Sequence, residues 1–315
     1  MVTAVRTVLG DIAPGDLGVT DAHDHLFLAV PSLAGQELDD PAAAEAEVEV
    51  FAGLGGAAVA QWTPFGLGRA AGRLPAIARA TGVHVVAATG LHQAHHYDPA
   101  LLDRLSRDGL AAFFVAELTE GMLDGDTPDA PRGTARAGMI KVAGGFHGLD
   151  DHARRMLTAA AEAHHATGAP IGVHHEMGTA APDVLDLLHG RLGVPPSALL
   201  LGHLNRFPDP GLHRELAASG AFLAFDGPSR AHHATDWRLL AGLVALAEAG
   251  HLHQLLLGGD TVTATARATT GEGPGMPYLL RTLRPRLTRA LGEEAATAVF
   301  RTNPARAFSA RWTTP

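Results

Sequence analysis

Residues 18–26 read GVTDAHDHL. The stretch opens on a glycine, passes through a short apolar segment and ends in side chains able to bind a metal. Side chains alternate along an extended chain, so His23 and His25 face the same side and can grip one ion. Alone, a His-x-His pair is a weak sign, because a strand-end histidine is more often a hydrogen-bonded rim residue. Its meaning depends on whether other strands end in the same way.

Working outward from it, strands are expected at 18–22, 57–62, 83–89, 137–142, 170–174, 199–203, 221–225 and 254–259. Most are near-continuous apolar runs, as parallel strands covered on both faces require. Helices are expected between them at 42–54, 69–80, 99–106, 150–167, 181–192, 210–218 and 236–249. Gly82, Gly168, Gly220 and Gly250 stand where such helices stop, the usual place for a residue that tolerates a left-handed backbone. Eight alternating units predict an α/β protein, a (β/α)8 TIM barrel with a short N-terminal extension, formed by residues 1–315 as a single domain. No linker rich in Pro, Gly or Ser divides the chain. Residues 261–277, rich in Thr and Gly, are expected to form a long functional loop after the eighth strand.

Reactive groups of such barrels lie at the C-terminal ends of the strands. The first strand ends at His23 and His25, the fourth at Lys141, the fifth at His174, His175 and Glu176, the sixth at His203, and the eighth at Asp260. Five strands therefore deliver metal-competent groups to one rim. Composition narrows the chemistry. The chain has no cysteine, so a metal must sit on imidazoles and carboxylates. It has 19 His, and of its 24 Lys and Arg only Lys141 is a lysine. Arginine stays protonated, whereas lysine can lose its proton and act as a nucleophile or form a carbamate. That contrast marks Lys141 as a position that needs an amine. A net charge of −9 argues against nucleic acid or an anionic membrane as partner. Residues 1–16 carry Arg6, Asp11 and Asp16 without an apolar run, so a cytoplasmic location is expected.

This ordered pattern resembles the phosphotriesterase branch of the amidohydrolase superfamily, over nearly the whole chain. The resemblance rests on GVTDAHDHL (18–26), Gly68 and Arg69, AATG (87–90), AGMIKV (137–142), His174, Gly202 with His203, Phe225 with Asp226, and NPARAF (303–308). The GMIK and NPxxxF elements are its most specific parts. It implies two divalent ions, zinc foremost or manganese, cobalt or iron. His23, His25 and Asp260 would hold the more buried ion, and His174 and His203 the more exposed one. Lys141, carboxylated by carbon dioxide to N6-carboxylysine, would bridge them. The chemistry of the residues agrees, since two neighbouring cations need a bridging anion and a carbamate on a long stem offers one oxygen to each. Hydroxide held by both ions is nucleophilic near neutral pH, because metal binding lowers a water's pKa toward ~7.

The sequence departs from the family in places. Gln61 stands where Asp is frequent, so a local adjustment is expected around the ligands. His92 takes the approximate place of a tyrosine found in quorum-lactone hydrolases, which weakens that activity, and Tyr97 comes later. Arg230 in the seventh loop is expected either to hold a polar group of the substrate or to be an ordinary loop cation. His164 and His165 are expected on the solvent face of a helix, and His95, His96, His232 and His233 in rim loops beside the cleft. Alternation turns His175 away from the site, and Glu176 receives no role. Gly258 and Gly259 are expected to let the backbone approach the metals.

The expectation is a binuclear metal-dependent hydrolase attacking an ester-type bond, with a lactone or carboxylic ester favoured. Asp260 would serve as ligand and proton acceptor. A phosphotriesterase proper and an amidase acting on a small N-acyl compound are the alternatives; a non-catalytic barrel would have no use for Lys141. The expected partner is a small-molecule substrate, and the resemblance suggests a homodimer.

Overall fold

The structure is a computed structural model that describes residues 3–227 and 234–313. A small antiparallel sheet joins the two ends of the chain: β1 (Ala4–Thr7) pairs with β2 (Gly10–Ile12) and with β11 (Ser309–Ala310). The expected N-terminal extension is thus a hairpin completed by the C-terminus. The central sheet has eight strands in sequential order. They are β3 (Thr20–Asp24), β4 (Ala58–Gln61), β5 (His84–Thr89), β6 (Met139–Ala143), β7 (Ile171–His174), β8 (Leu199–Leu201), β9 (Phe222–Asp226) and β10 (Leu255–Gly258). Every neighbouring pair is parallel. All eight fall where the sequence places them, with ends shifted by one or two residues.

The sheet curls until β10 runs beside β3. Asp260 N–H donates to His23 O at 2.9 Å across the seam. The two acids of GVTDAHDHL fasten it: Gly259 N–H donates to Asp21 (3.1 Å) and Thr261 N–H to Asp24 (2.8 Å). A Cβ on Gly258 would lie 2.5 Å from His23 O. The glycines before Asp260 are therefore required by closure against β3, not by approach to a metal as expected.

Side chains alternate across this barrel as the pleat demands. Val59, Val85, Ile140, Val173, Leu223 and Leu257 face outward into the layer between sheet and helices. Ala58, Ala60, Val86, Ala88, Met139 and Leu256 belong to the interior, together with Val5, Leu17 and Phe308 from the ends of the chain. Trp62 is wholly buried in this interior cluster and donates its indole N–H to Ala22 O at 2.8 Å. It occupies the space that Gly172 and Gly202 leave free; a Cβ on Gly172 would stand 2.9 Å from the indole.

The outer helices follow ordinary start and stop signals. α1 (Pro41–Gly53) is capped by Asp40, and Gly82, Gly168, Gly220 and Gly250 all have the positive φ expected of them. The expected helix 69–80 is shorter. Its α-helical part, α2, is Leu74–Thr81, because Arg69 is buried in a bidentate pair with Glu117, which also accepts from Thr89 Oγ1 at 2.7 Å. Glu117 lies on α4 (Leu110–Thr119), which follows α3 (Pro99–Asp108) and was not expected. Further helical turns between Leu279 and Ala307 lead to Asn303, whose amide donates to Leu252 O and Leu255 O at 2.9 Å each and so holds the start of β10. The 261–277 loop is clamped: Thr269 N–H and Met276 N–H donate to Glu47 on α1 at 3.0 and 3.1 Å. Among the described residues no helix is long and apolar enough to cross a membrane.

Candidate metal centre

The two-residue period that fills the barrel also builds the site. Met139 faces inward, so Lys141 does too, one step higher; Gly172 is followed in the same way by His174, and Ala224 by Asp226. β3 supplies His23 and His25 past a register shift against β4. His203 and Asp260 lie just beyond their strands with positive φ, 60° and 52°, a conformation uncommon for residues other than glycine. His23, His25, Lys141, His174, His203 and Asp260 all line one cavity of about 460 Å³ at the C-terminal mouth. Trp62, in the barrel interior, stacks on the His23 ring at 4.1 Å.

Each of the four imidazoles has one nitrogen engaged by a protein acceptor. Asp226 takes the Nδ1–H of His23 at 3.0 Å and of His203 at 2.6 Å. Thr63 gives its hydroxyl proton to Phe27 O, so its oxygen accepts from His25 Nδ1 at 2.7 Å. Glu176 accepts from His174 Nε2 at 3.0 Å. Fixing one nitrogen as donor leaves the other as a lone pair for a ligand: Nε2 on His23, His25 and His203, Nδ1 on His174. The Nε2 atoms of His23 and His25 converge on one Asp260 oxygen, at 3.7 and 3.5 Å. Donor atoms of these three residues lie within 4.8 Å of one another. His23, His203 and Asp226 form a second close group, but it is joined at hydrogen-bond distances through Nδ1 and fully buried at the aspartate. It therefore serves as a support for the rings and not as a cage.

The charges suit a cation. Burial opposes ionisation of Asp260, yet His203, His25 and His23 together hold its carboxyl well below the ordinary range. Burial also disfavours charge on His203, but Asp226 and Asp260 outweigh it and raise its pKa, so an ion bound at Nε2 would take the place of a proton there. Burial keeps His23 neutral, down to about 4, and His174, down to about 3. It pushes the Lys141 amine down to about 7, against the pull of Asp260, into the range where a neutral amine is available. Arg206 links the centre outward, with Nη2 at 3.5 Å from Asp260 and Nη1 at 3.1 Å from Asp236. The donor set of histidines, an aspartate and a deprotonable lysine fits two divalent ions of the zinc type.

Several residues gain places the sequence did not give them. Glu176 orients His174 and accepts from Gln93 at 3.3 Å. Gln61 accepts from Leu26 N–H and donates to Phe27 O, at 2.8 and 3.0 Å, bracing the chain after His25. His175 is buried and bonded to Thr179 O, away from the cavity, as alternation predicts. His92, His95 and His96 do line the cavity. His164 and His165 instead bond the carbonyls of Ala169 and Leu192, and His164 is half-buried, so the helix face expected to be solvated is partly engaged. Arg230, His232 and His233 lie outside the described residues.

A sequence profile of the phosphotriesterase family matches residues 3–308. The chain is 30% identical over 322 residues to a phospho-furanose lactonase of Mycoplasmopsis synoviae, covering 96% of this chain and 91% of the relative. A second phospho-furanose lactonase, from Mycoplasmopsis agalactiae, is 34% identical over 243 residues, 74% of this chain and 69% of the relative. The crystal structure of a lactonase from Listeria monocytogenes superposes with a TM-score of 0.88 at 29% identity, over 99% of both chains.

Proposed function

Because the chain belongs to the phosphotriesterase family and is a hydrolase of ester bonds, we propose that it is a lactonase working through two divalent ions, zinc foremost. His23, His25 and Asp260 would hold one ion and His174 and His203 the other. Lys141, carboxylated, would join them. The observation that carries this reading is the convergence of all six on one cavity, with the spare imidazole nitrogens selected by Asp226, Thr63 and Glu176. Two such ions would supply a water of lowered pKa as nucleophile. Asp260, held ionised, would accept a proton at Oδ2, which Arg206 approaches to 3.5 Å. Leu28, Leu33, Leu67 and Val262 give the cavity apolar walls that fit a small carbon ring.

The relatives named as phospho-furanose lactonases raise a second question, whether the substrate carries a phosphate. Among the described lining residues there is no arginine, and on this reading Lys141 would be engaged by the ions. The described lining groups able to donate to a phosphate include His92, Gln93, His95 and His96. The test is a screen of purified, metal-loaded protein against furanose lactones with and without a phosphate, aryl esters, phosphotriesters and N-acyl compounds. Turnover of a lactone at 10-fold or more the kcat/KM of the best triester and amide is the expected result, a gap of about 1.4 kcal/mol in barrier. Preference for an amide or a triester would replace the lactonase reading.

A further inference from the structure

His92 belongs to no expected ligand set, yet it lines the cavity beside Lys141 and His174. Its surroundings fix it from several sides. Its N–H donates to Tyr97 Oη and its carbonyl meets His152 Nε2, both at 2.8 Å. Its ring packs against His174 at 4.4 Å and edge-on against His96 at 4.7 Å. The decisive contact is the next peptide: Gln93 N–H donates to His92 Nδ1 at 2.8 Å. A ring nitrogen that accepts from an N–H carries no proton, so the imidazole is neutral and its one N–H sits on Nε2. Among the described residues nothing bonds Nε2, and it is not sealed away from the cavity. The loop thus presents a fixed, uncharged N–H donor next to the candidate metal centre.

We propose that His92 donates this Nε2–H to the carbonyl oxygen of the substrate, where negative charge collects as the ester is attacked. The proton stays on Nε2 throughout, and no bond to it breaks. A donor set in place beforehand needs no reorganisation during reaction, which is what makes such groups effective. Being neutral, it adds no positive charge to a wall that would face two cations. The inference rests on the ester-hydrolase reading and adds to it a residue that touches the reacting atoms.

The test uses the full, metal-loaded chain and two variants. His92→Phe keeps a ring against His174 but has no donor; His92→Gln keeps an N–H. His92→Phe should lose about 10²-fold or more in kcat, with KM within a few-fold, metal content intact and the unfolding midpoint lowered only modestly, as expected when Gln93 N–H loses its acceptor. His92→Gln should recover part of that loss. Equal impairment of both variants, wild-type kcat in His92→Phe, or loss of metal from His92→Phe would overturn the proposal, the last by making the ring only a prop for His174. Nitrogen-15 correlation spectra of the wild type, with the His92 signals assigned by their absence in His92→Phe, give a readout that needs no substrate. Protonated Nε2 and bare Nδ1 are expected; a proton on Nδ1 would overturn the inference. If the wild type turns over no ester at all, the functional reading fails while the tautomer result stands or falls separately.

Discussion

Asp226→Asn tests the logic of the centre with the smallest possible change. One carboxylate accepts from two ligand histidines, His203 at 2.6 Å and His23 at 3.0 Å. Asparagine has nearly the same shape but only one acceptor oxygen. The shorter contact keeps that oxygen, so His23 faces the amide NH2. Its Nδ1 can then pair only by accepting, which moves the ring proton to Nε2, the nitrogen an ion needs. Losing one hydrogen bond to a charged acceptor costs about 1.5–3 kcal/mol, and partners of metal ligands cost ~10–100-fold in affinity when altered. The two figures agree. The backbone bonds between residues 205 and 226 should survive, because Asn205 contacts only the main chain of Asp226. Chelator-competition titration should therefore show the ion held by His23, His25 and Asp260 weakened by about 10–100-fold, with the far-UV spectrum unchanged. Two ions held at wild-type affinity, with unaltered kcat/KM, would refute the role assigned to Asp226.

Lys141→Arg should lose metal and activity although charge and bulk are nearly kept, because guanidinium forms no carbamate; Lys141→Ala should regain part of its activity with metal and a short carboxylic acid, and full activity of Lys141→Arg with two ions bound would break the bridge. Burial lowers the Lys141 pKa to about 7, so the amine is neutral above that pH and protonated below it. Bicarbonate-dependent metal loading of the apo-protein should therefore slow by about tenfold per pH unit below it, and a stopped-flow rate that stays flat from pH 6 to 9 would contradict this. Asp260→Asn keeps the shape but removes the base, so kcat should fall by about 10²–10⁴; near-normal turnover in a steady-state assay would rule out the proton-accepting role. Arg230→Ala should lower kcat/KM on the best substrate by roughly 10-fold, the scale of one charge-assisted contact, and leave metal content alone; unchanged kinetics would make it a surface cation.

How much of this was legible in the sequence depends on the range of the forces involved. The barrel strands were legible because burial on both faces writes itself into four to six consecutive residues, as in Leu255–Gly258 or His84–Thr89. Lys141 stood out through composition alone. Helix α4 was not legible, since Phe113, Phe114 and Val115 are adjacent and give no helical stripe. Arg69 looked like the start of a helix because its partner, Glu117, is 48 positions away. Asp226 is the instructive case. In the sequence this strand-end Asp had no task of its own, because that task spans the ends of β3, β8 and β9, three segments brought together only by closure. The resemblance marked Phe225 with Asp226 without giving the aspartate a task, and the inward period through Phe222 and Ala224 was the physical signal for one.

That same period explains why the centre and the core cannot be varied independently. Trp62 is at once the upper layer of the barrel interior and the plate on which His23 rests, 4.1 Å away. The indole has room only because Gly172 and Gly202 carry no side chain; a Cβ on Gly172 would come within 2.5 Å of Met139 and 2.9 Å of Trp62. Any displacement of the indole is passed to His23, and from there to Asp226 and His203 through hydrogen bonds that tolerate shifts of only a few tenths of an ångström. Close-packed interiors transmit such strain instead of absorbing it. The glycines on β7 and after β8 are therefore functional in effect, although neither reaches the cavity. The positions nearest the chemistry in energetic terms include two that have no side chain at all.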